Sequence, residues 1–228
     1  YEKHPSPQFS LKTGTIFEDS PMGFDKWLPV VWMIANCKNG VSSHEVARSI
    51  GVTQKTAWFM LQRIRLAMQG DDGGKLGGEV EVDETYIGGK ARNMHASKRV
   101  KIAGSRWAGK VAVMGLLERN AKGSRVRTVV VQGAKRTDLL PHVAANVARG
   151  ASVYTDALHS YDSLRHTFDH QVIDHAEAYV DGQVHTNGLE SYWAILKRAL
   201  RGTYIAVEPF HLFRYLDEQA FRFNERKA

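Results

Sequence analysis

The spacing of apolar residues changes near residue 70, and this change restricts the chain to a helical part followed by a mixed α/β part. Upstream, apolar residues recur at helical spacing in three stretches, within residues 27–35, 46–50 and 57–68, which predicts three helices. The sequence QGDDGGKLGG (69–78) then interrupts the periodicity with glycines and polar residues. We therefore predict a linker at this point.

Downstream of the linker, apolar and polar residues alternate as they do in β-strands. We predict strands in EVEVDETYIGG (79–89), KVAVMGLLE (110–118), SRVRTVVVQGA (124–134), ASVYTD (151–156) and HQVID (170–174). Helices are expected at about 137–147, 187–201 and 208–224. This order predicts an α/β fold in which a mixed sheet is flanked by helices.

Charge and cysteine content narrow the classes of function. The 228 residues include 31 Lys and Arg against 24 Asp and Glu, a formal net charge of +7 that attracts polyanions such as nucleic acid or an acidic membrane surface. Cys37 is the single cysteine, which excludes an internal disulfide and a multi-cysteine zinc site and favours a reducing compartment. No apolar run approaches the roughly 18 residues of a membrane helix, so we expect no membrane partner.

Residues 41–68 have the features of a helix-turn-helix. Ser42 and Glu45 fit a capping box, Gly51 fits a left-handed helix end, and Thr53 can cap the next helix. The second helix would meet DNA bases and phosphates through Gln54, Lys55, Thr56, Arg63 and Arg65. The pattern also fits an ordinary helical hairpin with a solvated basic face, but the turn residues favour DNA binding.

Acidic residues occupy two strand positions that are typical of functional groups. In EVEVDETY, Val80 and Val82 should pack on one face, which leaves Glu79, Glu81 and Asp83 on the other. Asp156 ends the apolar strand VYTD, and open mixed sheets often present functional groups at strand ends.

The segment HTNGLESYWAILKRALRG (185–202) predicts a helix with two distinct stripes. The buried stripe consists of Leu189, Trp193, Leu196 and Leu200. The second stripe, about 100° round the helix, consists of Asn187, Glu190, Ala194, Lys197 and Arg201. One side therefore packs, and the next presents a carboxylate and two cations.

Converging Asp83, Asp156 and Glu190 side chains would provide the oxygen ligands that Mg²⁺ (or Mn²⁺) prefers. Two such ions about 3.5–4 Å apart activate an attacking oxygen and stabilise the leaving one, so water or a DNA 3′-hydroxyl can act as nucleophile. Lys197 would contact the DNA backbone. Taken singly, each acid is better explained as a cap or a surface ion pair, but their order along these elements favours the metal site.

The stretch between residues 89 and 110 is basic and contains no acid, which predicts a phosphate-binding loop. Its basic residues are Lys90, Arg92, Lys98, Arg99, Lys101, Arg106 and Lys110. A solvated basic loop is the alternative. Trp107 fits burial against the sheet better than stacking on a base, and His159, His175 and His185 are interpreted as surface or hydrogen-bonded residues.

Taken together, these segments resemble bacterial insertion-sequence transposases that combine a zinc ribbon, a helix-turn-helix and an Asp-Asp-Glu catalytic domain. The resemblance covers nearly the whole chain and is carried by FSLKTGTIFEDS (9–20), GVTQKTAWFMLQRIRLAM (51–68), VEVDETYIGGK (80–90), YTDALHSY (154–161), HTNGLESYWAILKRALRGTY (185–204) and HLFRYLDEQAFRFNER (211–226). It implies a ribonuclease-H-like fold, magnesium-dependent cleavage at transposon ends, and strand transfer into target DNA.

By motif, the resemblance assigns the catalytic acids to Asp83 and Asp156 and the basic residue to Lys197. Members of the family carry Glu or Asn at the third position, and here Asn187 and Glu190 lie one helical turn apart; we place Glu190 first for its charge. The family's zinc ribbon usually ends before the FSLKTGTIF segment, yet residues 1–10 contain no cysteine. The ribbon is therefore expected to be missing or degenerate.

We predict four segments: an N-terminal remnant (1–22), a small all-α helix-turn-helix domain (23–69), a linker (70–78) and a ribonuclease-H-like catalytic domain (79–228). The predicted function is a DNA transposase that acts on double-stranded DNA, at transposon ends and target sites. We expect a homodimer or larger assembly in the bacterial cytoplasm, associated with the nucleoid. Two alternatives stay open: a DNA-binding regulator that has lost catalysis, and a structure-specific nuclease that cuts without joining.

Overall fold

Three helices form the first part of the chain in the computed structural model, which describes residues 10–70, 74–89, 96, 109–120, 123–173, 185–205 and 207–226. They are α1 (Phe24–Asn36), α2 (Ser43–Ile50) and α3 (Gln54–Ala67). As predicted, α2 begins with a capping box: Ser42 Oγ accepts from the Glu45 amide at 3.2 Å, and Glu45 Oε2 accepts from the Ser42 amide at 2.9 Å. Gly51 ends α2 with φ +66°, and Thr53 caps α3.

The buried faces of these helices form one core, which includes Trp27, Ile34 and Met60. The segment before α1 packs on the same core through Phe17, whose ring centroid lies 5.1 Å from that of Trp27. Lys12 Nζ donates to the Ser20 carbonyl at 2.8 Å and holds this segment in a turn. The described part of the predicted N-terminal remnant is therefore packed against the helices.

A five-stranded mixed sheet dominates the rest of the molecule, in the order β3-β2-β1-β4-β5. The strands are β1 (Glu79–Ile87), β2 (Val111–Glu118), β3 (Arg125–Val131), β4 (Ser152–Asp156) and β5 (Asp169–Ile173). β2 pairs antiparallel with β1 and β3, whereas β4 pairs parallel with β1 and β5. The flanking helices are α4 (Arg136–Asn146), α5 (Asn187–Ala199) and α6 (Leu212–Asn224). This is the ribonuclease-H-like α/β architecture that the sequence predicted.

Three shorter helical segments complete the described elements. A 3₁₀ helix (His159–His166) follows β4, a π-helical turn (Leu200–Tyr204) continues α5, and a 3₁₀ turn (Pro209–His211) precedes α6. Within the described residues, no helix has the length and hydropathy that a membrane crossing requires.

Both faces of the sheet are covered, which explains why β2 is apolar along nearly its whole length. Ala112, Met114 and Leu116 of β2 face the cluster that includes α4. Val113 and Leu117 face the opposite cluster, formed with α5 and α6. On β1, Val80 and Val82 lie in the α4 cluster, so Glu81 and Asp83 are left on the α5 face, as the alternation predicted.

The end of the predicted linker belongs to the sheet layer. Leu76 is fully buried and forms an isolated parallel bridge with Val147. Its amide donates to the Asn146 carbonyl at 2.8 Å, and its carbonyl accepts from the Ala148 amide at 2.8 Å. A single leucine in a glycine-rich polar run thus anchors this stretch, while residues 71–73 lie outside the described residues.

A buried ion pair joins α3 to α6. Arg65 Nε donates to Glu218 Oε2 at 2.8 Å, and the two side chains are 1% and 0% exposed. The Arg65 guanidinium lies 4.0 Å from the Tyr215 ring centroid, and Tyr204 donates its hydroxyl to Glu218 Oε1 at 2.5 Å. Arg222 adds a third donor to Glu218 at 3.0 Å. The helical part and the sheet part therefore meet through a network of charged and aromatic side chains.

Candidate active site

Asp83, in the middle of β1, and Asp156, at the end of β4, lie on two adjacent parallel strands. The register of β1 and β4 pairs Glu79 with Ser152 and Glu81 with Tyr154. Two residues beyond this last pair, the same alignment brings Asp83 level with Asp156. The negative charge of Asp156 contributes to the raised pKa of Asp83, so the two carboxylates are close enough to interact.

Asp83 is a partly buried carboxylate with two donors. Its Oδ2 accepts from Trp193 Nε1 of α5 at 2.9 Å, and its Oδ1 accepts from the Glu84 amide at 2.8 Å. Burial raises the pKa of Asp83 to about 6; the Trp193 hydrogen bond opposes this rise, and the charges of Asp156 and Glu190 add to it. The first acid of the predicted triad is therefore tied directly to the helix that carries the third.

The contact between Trp193 and Asp83 depends on Gly115 of β2, the residue that pairs with Asp83 across the antiparallel register. A Cβ atom at position 115 would lie 2.6 Å and 2.8 Å from two carbons of the Trp193 indole. Sequence reasoning assigned Trp193 only to a buried stripe. The glycine inside the apolar strand VAVMGLLE was the available signal, because such a glycine often marks a close approach.

Glu84 is a further, partly buried carboxylate at this site, and the sequence prediction missed it. It points to the opposite face of β1 and accepts a hydrogen bond from the Tyr161 hydroxyl, in the 3₁₀ helix that follows Asp156. Burial raises the pKa of Glu84 to about 8, and the charges of Asp156 and Asp83 add to the rise. Three acids, Asp83 and Glu84 in the middle of β1 and Asp156 at the end of β4, therefore interact with one another.

The exposed stripe of α5 faces this acidic group. Asn187, Glu190 and Arg201 are exposed, and Lys197 is partly buried. Burial lowers the pKa of Lys197, as do Arg201 and Lys110, whereas Asp83 raises it. The structure thus brings Asp83, Asp156, Glu190 and Lys197 within electrostatic range, with two more cations beside Lys197.

The donor chemistry of this site suits a hard divalent cation. Carboxylate oxygens are the ligands that Mg²⁺ prefers. A bound cation would offset the burial and the repulsion between carboxylates that raise the pKa values of Asp83 and Glu84. Within the described parts of the chain, however, no three His, Cys, Asp or Glu side chains are grouped closely enough to hold a metal ion. Asp156 and Glu190 lie within electrostatic range of Asp83, and the assignment of these three acids to a shared metal site stays a prediction.

The residues predicted to bind DNA in α3 have different environments. Gln54 and Lys55 are exposed at the start of the helix, where Gln54 Nε2 donates to Ser43 Oγ at 2.8 Å. Thr56 is partly buried, and its hydroxyl lies 2.9 Å from that of Thr53. Arg63 is partly buried and donates to the Glu18 carbonyl at 2.8 Å.

Arg65 corrects the sequence prediction. It is 1% exposed and ion-paired with Glu218, so its guanidinium is not accessible to a DNA phosphate. Position 65 follows Leu61 by four residues, which places it on the buried face of α3.

Other predicted residues lie outside the described residues: Lys90, Arg92, Lys98, Arg99, Lys101, Arg106, Trp107 and His175. Of the remaining histidines that the sequence singled out, His159 is exposed beside Asp162, and the Nδ1 of His185 lies 2.8 Å from Arg119. These two positions agree with the interpretation of surface or hydrogen-bonded histidines.

A family model described as the ISXO2-like transposase domain matches residues 75–224. The chain belongs to this transposase family. The matched segment includes the whole sheet and the acidic site, and it excludes α1, α2 and α3. The resemblance to insertion-sequence transposases that the sequence predicted is thereby confirmed.

Two relatives agree with this membership of the transposase family. A protein in transposable element ISH50 of Halobacterium salinarum is 29% identical over 202 residues, which cover 84% of this chain and 67% of the relative. A transposase-like protein of Haemophilus influenzae is 34% identical over 101 residues, which cover 44% of this chain and 81% of the relative.

Proposed function

We propose that this member of the transposase family is a polynucleotidyl transferase that binds transposon ends and cuts and joins DNA strands with Mg²⁺ or Mn²⁺. The observation that carries the proposal is the proximity of Asp83, in the middle of β1, to Asp156, at the end of the adjacent strand β4, opposite the charged stripe of α5. A divalent ion bound there would supply the Lewis acidity that activates the attacking oxygen and stabilises the leaving one.

Each residue of the site has a distinct proposed role. Asp83 and Asp156 hold the metal, and Glu190 is the third ligand, with Asn187 one turn away as the alternative. Trp193 fixes the orientation of Asp83, as hydrogen-bond donors around a ligand commonly do. Lys197 and Arg201 form a cationic strip along α5 that suits the backbone of a DNA strand lying across the acids.

The helical part is proposed to bind double-stranded DNA. Gln54 and Lys55 are exposed at the start of α3, where a recognition helix contacts bases and phosphates. The division into residues 23–69 for DNA binding and 79–228 for catalysis belongs to the same proposal, as does phosphate binding by the basic residues between 90 and 106. Assembly as a homodimer or larger complex on paired ends is also part of it.

The test is strand nicking by Asp83→Asn on a labelled duplex that carries a transposon end, in Mg²⁺. We expect nicking to fall to the background rate while the affinity for the duplex stays within about twofold of wild type, because the substitution changes the metal site alone. Asp169→Asn is the matched control, since Asp169 is an exposed acid on β5 of the same sheet. Nicking by Asp83→Asn at the control's rate would refute the assignment.

The same preparation distinguishes the two alternatives. A nuclease cuts the end but yields no strand-transfer product with a target duplex. A regulator without catalysis gives neither product and shows no Mn²⁺ binding that depends on Asp83.

A further inference from the structure

A buried carboxylate from the sheet caps the start of α5. Glu81 is 1% exposed and lies on the same face of β1 as Asp83, two residues earlier. Its Oε2 accepts from the Leu189 amide at 2.8 Å, in the first turn of the helix. Thr186, the residue before α5, makes no side-chain capping bond. The first turn of α5 therefore receives a carboxylate from another element, where a negative charge also favours the helix dipole.

Arg119, directly after β2, holds that carboxylate in place. Its Nε donates to Glu81 Oε1 at 2.8 Å, and one terminal nitrogen donates to the His185 carbonyl at 2.5 Å. A second terminal nitrogen lies 3.3 Å from Glu79 Oε2, and the guanidinium lies 4.5 Å from the centroid of the Tyr154 ring. One side chain thus connects β1, the end of β2, β4 and the residues that lead into α5.

Gly188 allows the close approach between the helix and this pair. A Cβ atom at position 188 would lie 2.9 Å and 3.0 Å from the two carboxylate oxygens of Glu81, and 3.1 Å from a methyl carbon of Leu117. A larger residue would push α5 away from the sheet or displace Glu81.

We propose that Glu81 and Arg119 are positioning residues for the acidic site: they fix where α5 begins, and so where Asn187, Glu190 and Lys197 stand relative to Asp83 and Asp156. Both oxygens of Glu81 are engaged, one by Leu189 and one by Arg119, so the carboxylate links the helix to the sheet. The effect of this positioning on catalysis rests on the proposed function. A misplacement of about 1 Å in such a site can lower the rate roughly a hundredfold.

The test measures helix order and catalysis separately in the full chain. Glu81→Ala removes the cap and the ion pair, whereas Glu81→Gln keeps an oxygen for the Leu189 amide. Amide hydrogen exchange at Leu189 and Glu190, in metal-free protein, reports the first turn of α5. Nicking and duplex binding are measured on the same samples.

We expect Glu81→Ala to exchange about fivefold faster at Leu189 and to nick about a hundredfold more slowly, with unchanged duplex affinity. Glu81→Gln should recover most of the exchange protection and part of the rate. Glu79→Gln is the matched control, because it removes the longer and more exposed contact of Arg119 and should behave as wild type.

Wild-type exchange at Leu189 in Glu81→Ala would overturn the proposal, and so would faster exchange with a wild-type nicking rate. Should Glu81→Ala fail to fold, Glu81→Gln and Arg119→Lys carry the same comparison, and wild-type exchange and rate in both would equally overturn it. Failure of the proposed function is seen separately, as nicking that survives Asp83→Asn.

Discussion

Asp83 and Glu84 are adjacent residues on opposite faces of β1, and both are partly buried carboxylates with raised pKa values. Such a group keeps its proton in the folded state at a pH where the unfolded chain has released it. The folded state therefore loses stability as the pH rises from the unfolded pKa to the folded one. For Glu84 this window runs from about 4.5 to about 8, and for Asp83 from about 3.8 to about 6.

We predict that, with divalent ions chelated, the free energy of unfolding decreases as the pH rises through this window. Each group contributes up to about 1.4 kcal/mol per pH unit. Asp83, Asp156 and Tyr86 interact with Glu84 through their charges, and Tyr161 donates a hydrogen bond to it. In Glu84→Gln, the free energy of unfolding should depend less on pH in the upper part of the window. The pH dependence in the lower part should remain, because it comes from Asp83. Urea unfolding at a series of pH values measures this.

Asp169→Asn provides the comparison for that series, because Asp169 is exposed on β5 and should keep the wild-type slope. An unchanged slope in Glu84→Gln would show that Glu84 does not titrate in this range.

At this scale the sequence located individual residues better than their partners. Asp83, Asp156 and the two stripes of α5 follow from local periodicity, which a single chain displays directly. Trp193 reaches Asp83 across 110 residues of sequence, and Tyr161 reaches Glu84 across 77. Contacts of this kind depend on how strands and helices pack, so no local sequence pattern predicts them.

The elements themselves were predicted closely, since each predicted strand in the sheet lies within about three residues of its observed bounds. The differences occur where tertiary packing overrides local pattern. α5 was expected to continue to residue 201, but its ladder changes at Leu200, where the Ile205 amide donates to the Leu200 carbonyl at 2.9 Å. The 3₁₀ helix after β4 was not predicted, because eight polar-rich residues give too short a pattern.

Helix α3 offers a prediction about DNA binding. Lys55 is exposed at its start, so Lys55→Ala should weaken binding to all duplexes alike and reduce the dependence of log affinity on log salt concentration by about one. Fluorescence anisotropy over a range of salt concentrations measures this. Arg149→Ala is the control of equal charge, because Arg149 is exposed before β4, at the opposite end of that strand from Asp156. Equal salt slopes for both variants would exclude α3 from the interface.

At the scale of the whole molecule, the buried pair of Arg65 and Glu218 connects the two parts of the chain. We predict that Glu218→Leu alone destabilises the protein by about 3–5 kcal/mol, because it leaves the buried Arg65 charge without its partner. Combining it with Arg65→Met should cost much less than the sum of the single changes. Urea unfolding of the four proteins measures the coupling.

A partly exposed ion pair within α6 is the comparison for that cycle. Arg214 and Asp217 lie 3.1 Å apart and are 21% and 19% exposed, so Asp217→Leu should change stability by only about 1 kcal/mol or less. A similar small loss in Glu218→Leu would mean that the buried pair does not hold the two parts together.

The order of helices and strands was enough to predict the α/β class, because alternation and helical periodicity identify each layer. The ion pair that connects the two parts was not predictable, and Arg65 was predicted to bind DNA. From sequence alone, an arginine on a basic helix looks the same whether it faces solvent or a buried glutamate.

The placement of that ion pair limits how this protein can be recombined with its relatives. Arg65 lies in the third helix and Glu218 in the last. A hybrid therefore needs residues 65 and 218 from a single parent. Gly40 adds a further condition, since any side chain there would run into the Tyr204 hydroxyl at a backbone φ of +82°. The helical part of a relative can thus be grafted onto this sheet part only together with the matching last helix.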